Sequence, residues 1–278
     1  MPSVERLRPL LGTFVAIRAQ SSAASTQIQV DDAVEAAFRT IARVDRLMSF
    51  HQSDSDIGRL NRSRGGRVLR VHRWTFQVLK EAQLLWQWSQ GLFDCNVGGM
   101  LIRRELLPGS AGRPMRSPLG QAVSFKQSSI VKLNTFVRID LGGIAKGFAV
   151  DRAVDVLRAY GMESGSVNAG GDLRVFGDEP QVIWGRNPDH PTQVQMMGSL
   201  TNGAIATSGS YFAPTKWGNK HMSAIVDTKR ARFVAMSQSV SVIARTCMHA
   251  DALTKIAAVK GRLPARLTRY AKARMVTL

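Results

Sequence analysis

Cysteine is scarce in this chain of 278 residues, which has only Cys95 and Cys247. Neither belongs to a C-x-x-C pair, so a disulfide framework is not expected and a reducing compartment fits. No stretch approaches the roughly 20 consecutive apolar residues of a membrane-spanning helix. The N-terminal residues contain no long apolar core followed by a small-residue cleavage site. We therefore expect a soluble, cytoplasmic protein without a membrane span.

Acidic residues are also few, since 20 Asp and Glu stand against 38 Lys and Arg, giving a formal net charge of +18. From Lys229 to the C-terminus, eleven basic residues accompany a single acid, Asp251. This excess favours a nucleotide, nucleic acid or anionic membrane as partner, although a merely solvated basic face is the alternative. Only Phe233 and Tyr270 are aromatic in this stretch, so it lacks the stacking residues of nucleic-acid binders.

Several catalytic signatures are missing. The five histidines have no zinc-like spacing, and neither H-E-x-x-H nor G-x-S-x-G occurs. The glycines match neither G-x-G-x-x-G nor the P-loop pattern, which argues against Rossmann and P-loop sites. The hydrophobic fraction of 44% is ordinary for a globular protein.

The apolar pattern predicts interspersed helices and strands. The first helix is expected over residues 31–50, with Asp31 or Asp32 as its N-cap. Later helices are expected over Trp74–Ser89, Ile144–Tyr160 and Met248–Val259, and residues 51–66 are expected to be a loop or a short helix. Strands are predicted over Gly12–Ala19, Ser129–Asn134, Phe136–Leu141, Gly165–Gly170, Asp172–Gly177, Gln181–Gly185, Gln193–Met197, Gly203–Thr207, Ala224–Asp227 and Ser239–Ile243, followed by a basic strand or tail.

These elements follow no regular β-α-β rhythm, which argues against a doubly wound sheet. We expect an α+β fold: one domain over residues 1–278, with a mixed, largely antiparallel sheet core flanked by helices. The strands over residues 129–134 and 136–141 are expected to pair across a short turn.

The segment IDLGGIAKG places Asp140, Gly142, Gly143 and Lys146 at the start of a predicted helix. Backbone N–H groups and the helix dipole at such a turn can bind a phosphate, and a lysine can neutralise its charge. The competing interpretation is a tight strand-to-helix turn with a solvated lysine. The residues alone leave both interpretations open.

Two further segments are equally ambiguous. Gly170 and Gly171 can form a hairpin turn or allow a close approach of backbone to ligand. Asp251 can cap a helix, pair with a base or bind a hard cation.

Taken together, seven segments in the same order resemble the ApbE family of flavin transferases over nearly the whole chain. They are RPLLGTFV, VDRLMSFHQSDSDIGRLNR, GLFDCNVGG, IDLGGIAKGFAVD, VNAGGDLRVFG, IATSGSY and ADALTK. The resemblance implies an enzyme that cleaves FAD, releases AMP and attaches FMN through a phosphoester to a Ser or Thr of a target protein, with help from Mg²⁺. It implies FAD and an acceptor protein as partners, and no specific nucleic acid.

The resemblance also implies roles for individual residues. Asp251 and Lys146 are the expected catalytic residues. Mg²⁺ is expected at the Gly143 carbonyl, Asp251 and Thr254, which are oxygen ligands of the type this ion prefers. Contacts to FAD are expected for Leu11, Phe93, Asp94, Asp140, Lys146, Gly170, Gly171 and Ile225.

The chain departs from the family pattern at several positions. Leu11 stands where a methionine is usual, Ala224 where a histidine is usual, and Thr228 where a proline is usual. Lys255 stands where the pattern has a threonine, four residues after its aspartate. A protonated lysine cannot coordinate Mg²⁺, because an ammonium has no lone pair.

Two arrangements of Lys255 are therefore open. It can pair with Asp251 and partly replace the cation, or it can point outward and leave Asp251 and Thr254 to hold a metal with more waters. The alternative functions are a flavin-binding protein or FAD hydrolase without transfer activity and, less favoured, a basic nucleic-acid-binding module.

Overall fold

The computed structural model of the chain describes residues 1–110, 117–126, 129–132, 137–186, 192–209, 216–217, 220–236 and 239–277. Its helices are α1 Gln27–Met48, α2 Asp56–Arg62, α3 Arg73–Trp88, α4 Gly98–Arg103, α5 Leu119–Ala122, α6 Ala145–Ala159, α7 Cys247–Lys260 and α8 Ala265–Ala271. Its strands are β1 Ser3–Leu10, β2 Thr13–Gln20, β3 Val68–Arg70, β4 Val123–Lys126, β5 Ser129–Lys132, β6 Ser164–Ala169, β7 Asp172–Phe176, β8 Gln181–Arg186, β9 Val194–Leu200, β10 Ala204–Ser208, β11 Lys216–Trp217, β12 Lys220–Asp227, β13 Arg232–Ala235, β14 Val240–Ala244 and β15 Arg274–Thr277.

The centre of the fold is a seven-stranded sheet in the order β1-β2-β6-β7-β10-β14-β15. Two three-stranded sheets, β11-β12-β13 and β3-β5-β4, and the β8–β9 hairpin accompany it. All strand pairs within the described ranges are antiparallel. The prediction of an α+β fold with a largely antiparallel sheet flanked by helices is confirmed.

Helices α1, α6 and α7 cover one face of the large sheet, and α6 packs between the other two. Alternate strand residues point into this main core and are fully buried, for example Ile17 on β2, Val167 on β6 and Val242 on β14. The period of two follows from the pleat, which sends successive side chains to opposite faces. The opposite face carries a smaller cluster of Val175, Ile205 and the β8 residue Ile183.

Helix α1 begins before the predicted cap at Asp31 or Asp32, so that prediction is wrong. Thr26 is the N-cap: its hydroxyl accepts a hydrogen bond from the Gln29 N–H at 3.3 Å, and the Thr26 N–H donates to Gln29 Oε1 at 2.9 Å. This capping box satisfies two backbone donors reciprocally, which a single aspartate does not.

Residues 137–141 do not form the predicted strand. Strand β5 pairs with β3 and β4 instead, and the expected turn over residues 133–136 lies outside the described residues. The backbone of this segment is held by an amide side chain: the Ile139 N–H donates to Asn61 Oδ1 at 2.7 Å, and Asn61 Nδ2 donates to the Ile139 carbonyl at 2.8 Å. An amide thus replaces a neighbouring strand, which a strand pattern cannot reveal.

The neighbours of Ile139 are held in the same way. The Arg138 N–H donates to Asn96 Oδ1 at 2.9 Å, and the Asp140 N–H donates to the Cys95 carbonyl at 2.8 Å. This ties the segment that precedes α6 to the segment that follows α3.

The C-terminal part of the chain forms α8 and then β15, which pairs with β14 at the edge of the large sheet. The prediction of a basic closing strand is therefore confirmed for Arg274–Thr277. None of the helices in the described ranges has both the length and the apolar character to cross a bilayer.

Helix α6 supplies a carboxylate to the N-terminus of α7. Asp151 accepts hydrogen bonds from the backbone N–H groups of Cys247 and Met248, at 2.9 Å each. It also pairs with Arg174 of β7 at 2.7 Å. Asp151 therefore joins two helices and a strand through a side chain that is 5% exposed.

Helix α7 returns the same kind of contact to α6. Asp251 Oδ2 accepts a hydrogen bond from the Gly147 N–H in the first turn of α6 at 3.2 Å. A Cβ at Gly147 would overlap the Cys247 carbonyl oxygen, so only glycine permits this approach of the two helices.

We predict that Asp151→Ala lowers the free energy of unfolding by about 3–5 kcal/mol, because the largely buried guanidinium of Arg174 loses its partner. Urea unfolding followed by circular dichroism measures the loss. Asp155→Ala on the same helix is the control: its half-buried pair with Arg152 at the helix surface should contribute less than about 1 kcal/mol. Equal losses in the two variants would contradict the role given to Asp151.

Candidate functional site

A cavity of about 750 Å³ lies where the N-terminus of α6 and Lys255 of α7 meet the loops after β10 and α3. Its volume is in the range typical of sites for small molecules and cofactors. The predicted site residues that line it are Leu11, Phe93, Asp94, Asp140, Gly143, Lys146 and Ile225. The predicted residues that do not line it are Gly170, Gly171, Asp251 and Thr254.

Lys146 lies in the first turn of α6 and is held by a buried carboxylate. Its Nζ is 2.6 Å from Asp172 Oδ2, and the two side chains are 32% and 3% exposed. Burial lowers the pKa of Lys146, but attraction to Asp172 and Asp251 outweighs this effect, so its pKa is raised above the ordinary value. Lys146 is therefore a permanent cation at the cavity wall.

Lys255 forms a second pair of the same kind with Asp251. The two residues lie one turn apart on the same face of α7, and the Lys255 ammonium donates a hydrogen bond to Asp251 Oδ1. Asp251 is fully buried, whereas Lys255 is 21% exposed and lines the cavity. Of the two arrangements open for Lys255, pairing with Asp251 is the one observed.

The interpretation of Asp251 as a helix cap is wrong. The N-cap of α7 is Thr246, whose hydroxyl accepts a hydrogen bond from the His249 N–H at 3.3 Å. Asp251 lies one turn further on and faces α6, because its partners are Gly147 and Lys255.

Thr254 is fully buried behind the cavity. Its hydroxyl donates to the Asp251 carbonyl at 2.7 Å and lies 2.8 Å from Ser208 Oγ. Ser208 itself lines the cavity, at the end of β10. Thr254 therefore supports Ser208 from behind in this arrangement.

The residues predicted to hold Mg²⁺ do not fit that ion in this arrangement. One carboxylate oxygen of Asp251 carries the ammonium of Lys255, and the other accepts from the Gly147 N–H. The aliphatic part of the Lys255 side chain also lies against Gly143, where an added Cβ would be 3.3 Å from Lys255 Cε. In the described part of the chain, no group of three His, Cys, Asp or Glu side chains is placed to hold a metal. The donor set around Asp251 suits an ammonium.

Two predicted carboxylates of the cavity wall, Asp94 and Asp140, accept hydrogen bonds from backbone N–H groups. Asp94 Oδ1 accepts from the N–H of Asn96 at 2.8 Å and from that of Leu119 at 3.2 Å. Burial raises the pKa of Asp94 to about 6 despite these bonds. Burial also raises the pKa of Asp140, and a hydrogen bond from the Gly142 N–H opposes the rise.

Gly170 and Gly171 form the turn between β6 and β7, with positive φ values of 63° and 100°. The Gly171 N–H donates to Asn168 Oδ1 at 2.9 Å. The hairpin-turn interpretation is thus confirmed for the backbone. The predicted contact of these glycines with FAD stays a prediction.

Several residues of the site were not among those predicted. Phe50 and Ser208 line the cavity, and Asp172 anchors Lys146. Asp172 carried a usable signal, because it alternates with Arg174 on the face of β7 that meets α6. Phe50 and Ser208 lie within segments that carry the family resemblance, but nothing in their local pattern marks their side chains. Ala224 also lines the cavity, so this position has no imidazole.

We predict that Asp94→Asn changes the pH dependence of stability. The pKa of Asp94 rises from 3.8 to about 6 on folding. The folded chain therefore holds a proton that the unfolded chain loses between these values, and the associated stability is lost as the pH rises through 6. The free energy of unfolding of Asp94→Asn should therefore rise relative to that of the wild type between about pH 4 and 7, by at most about 3 kcal/mol.

Urea unfolding of both proteins at about pH 4.5 and about pH 7.5 measures this difference. Asp54→Asn, in an exposed loop, controls for the general effect of removing a carboxylate. A constant difference between wild type and Asp94→Asn at the two pH values would show that Asp94 titrates normally.

Taken together, the fold and the cavity define an α+β protein with a cavity of ligand size at the N-terminus of α6 and two anchored lysines in its wall. Residues 11–276 match the family model of the ApbE family. The chain belongs to the ApbE family.

Relatives with assigned functions share this family. The FAD:protein FMN transferase of Vibrio cholerae is 28% identical over 231 residues, which cover 77% of this chain and 69% of that protein. The FAD:protein FMN transferase of Rhodobacter capsulatus is 30% identical over 214 residues, which cover 70% of this chain and 40% of that protein. The chain thus spans less than half of the length of the second relative.

Solved structures share the fold over almost the whole chain. The ApbE protein of Thermotoga maritima has a TM-score of 0.80 at 27% identity, covering 99% of this chain and 94% of that one. The flavin transferase ApbE of Vibrio cholerae has a TM-score of 0.79 at 23% identity, covering 99% and 93%.

Proposed function

We propose that the chain is an FAD:protein FMN transferase. The observation that carries the proposal is the convergence of the family segments on one cavity. GLFD, IDLGGIAK, IATS and ADALTK are far apart in the chain, yet each contributes residues to the same wall. Curated relatives that match most of the chain carry this activity in their names.

The wall suits the two chemical parts of FAD. Phe50 and Phe93, together with aliphatic neighbours, offer apolar surface to the flavin ring. Lys146 and Lys255 offer positive charge to a pyrophosphate, and Asp172 and Asp251 hold these ammonium groups from behind. Preorganised cations of this kind stabilise the charge of a transferring phosphoryl group without reorganisation.

The reaction needs little covalent chemistry from the protein. The hydroxyl oxygen of an acceptor Ser or Thr forms a bond to the phosphorus on the flavin side of FAD. The bond from that phosphorus to the oxygen of AMP breaks, AMP leaves, and the hydroxyl proton passes to solvent. Lys146 acts by holding the pyrophosphate and neutralising its oxygens, since its raised pKa keeps it charged.

Several finer expectations belong to this proposal and stay predictions. They are the Ser or Thr acceptor, a cytoplasmic location and a single domain over residues 1–278. The family resemblance also implies help from Mg²⁺, but the donor set at Asp251 does not support it. A flavin binder or hydrolase without transfer is the alternative that shares this cavity, and it differs only in the absence of an acceptor. The family match favours the transferase over a nucleic-acid-binding module.

Transfer itself is tested by incubating the chain with FAD and a candidate acceptor domain, and by measuring the acceptor mass. We expect a mass increase equal to FMN, with AMP released in equal amount. Release of AMP and FMN without a modified acceptor, over a panel of Ser- and Thr-containing acceptors, would favour the hydrolase.

Lys146→Met should reduce FMN transfer by about 100-fold or more, because it removes a cation from the transferring group. Since that change leaves Asp172 buried and unpaired, the double variant Lys146→Met with Asp172→Asn is made beside it to keep the fold. Lys260→Met, at the exposed end of α7, is the control and should transfer normally. Normal transfer in the double variant would exclude the role of Lys146.

The ligand preference gives a further prediction. FAD should bind more tightly than FMN or riboflavin, because only FAD brings a pyrophosphate to both lysines. Calorimetry with the three flavins measures the difference. Equal affinities would contradict the assignment of the lysines to the pyrophosphate.

A further inference from the structure

The cavity wall contains two ammonium groups, each held by a buried carboxylate. Lys146 pairs with Asp172 and Lys255 pairs with Asp251. The pairs lie close enough for their charges to act on one another, since Asp251 raises the pKa of Lys146 together with Asp172. The acids are 3% and 0% exposed, whereas the lysines line the cavity. A ligand therefore meets two cations, while the four side chains together are neutral.

We propose that Lys255 is a catalytic residue that contacts the pyrophosphate of FAD and takes the place of a divalent cation in this chain. The proposal rests on the function proposed above and names what supplies its second positive charge. The ammonium is fixed where a cation bound to Asp251 would have to lie, because Lys255 takes one carboxylate oxygen and the Gly147 N–H takes the other.

Two contacts keep Lys255 in this position. Asp251 is anchored to α6 through Gly147, so the carboxylate cannot follow a departing lysine. The aliphatic stem of Lys255 packs against Gly143, with Cε 3.3 Å from the place of an added Cβ. Departure of the lysine would leave a fully buried carboxylate without its partner, which is strongly unfavourable.

An ammonium and Mg²⁺ exclude one another here, because both are cations and the lysine has no lone pair to offer a metal. Removal of the ammonium alone should therefore let Mg²⁺ bind at Asp251. Lys255→Thr frees the Asp251 oxygen and adds a hydroxyl one turn away on the same face of α7. Carboxylate and hydroxyl oxygens are ligands that Mg²⁺ accepts.

The experiment compares wild type, Lys255→Thr and the exposed control Lys260→Thr, each in chelator and in excess Mg²⁺. FAD and inorganic pyrophosphate are titrated by calorimetry, and FMN transfer is measured in parallel. We expect wild type and Lys260→Thr to bind both probes and to transfer FMN equally with and without Mg²⁺. Lys255→Thr should bind both probes about tenfold or more weakly in chelator and recover with Mg²⁺.

The outcomes separate this proposal from the proposed function. If wild type transfers FMN only with Mg²⁺, the transferase stands and the role of Lys255 is overturned. If wild type binds pyrophosphate in chelator through Lys255 but transfers no FMN under any condition, Lys255 keeps its contact and the transferase is overturned. If wild type binds neither probe in chelator, or Lys255→Thr matches it there, the role of Lys255 is excluded. Circular dichroism of the three proteins shows whether Lys255→Thr retains the fold.

Discussion

The contact between α6 and α7 is the constraint on which the rest of the site depends. Each helix sends an aspartate to the N-terminal backbone of the other: Asp151 binds the first turn of α7, and Asp251 binds Gly147 in the first turn of α6. These bonds satisfy helix donors that would otherwise be buried without partners. Gly147 makes the approach possible, and as a consequence the N-terminus of α6 and Lys255 of α7 lie at one cavity.

The charges of the cavity follow from the same arrangement. The packing of α7 against the N-terminus of α6 places Lys146 and Lys255 in one wall, and each is stabilised by an acid from the interior. Two ammonium groups alone would repel one another, and two buried carboxylates alone would be costly to bury. Alternating them permits two ammonium groups in one cavity wall, in a chain whose net charge of +18 already attracts anions.

Backbone segments without regular structure complete the site. Residues 137–141 lie beside the cavity without strand partners, and Asn61 and Asn96 bind their backbone groups instead. This leaves Asp140 and the Gly142–Gly143 turn at the cavity wall. The site thus depends on amides that belong to distant segments of the chain.

The sequence by itself determined the helices α1, α3, α6 and α7, most of the strands of the large sheet, and the family segments that meet in the cavity. These features are set by local periodicity and by residues close together in the chain. Tertiary structure decided what depends on distant partners: the amide-held residues 137–141, and the pairing of Lys146 with Asp172 on β7. It also decided which partner Asp251 has. Helical spacing allowed its pair with Lys255, but only the packing of α6 against α7 buried the carboxylate and left it no other role, because burial makes an unpaired charge unfavourable.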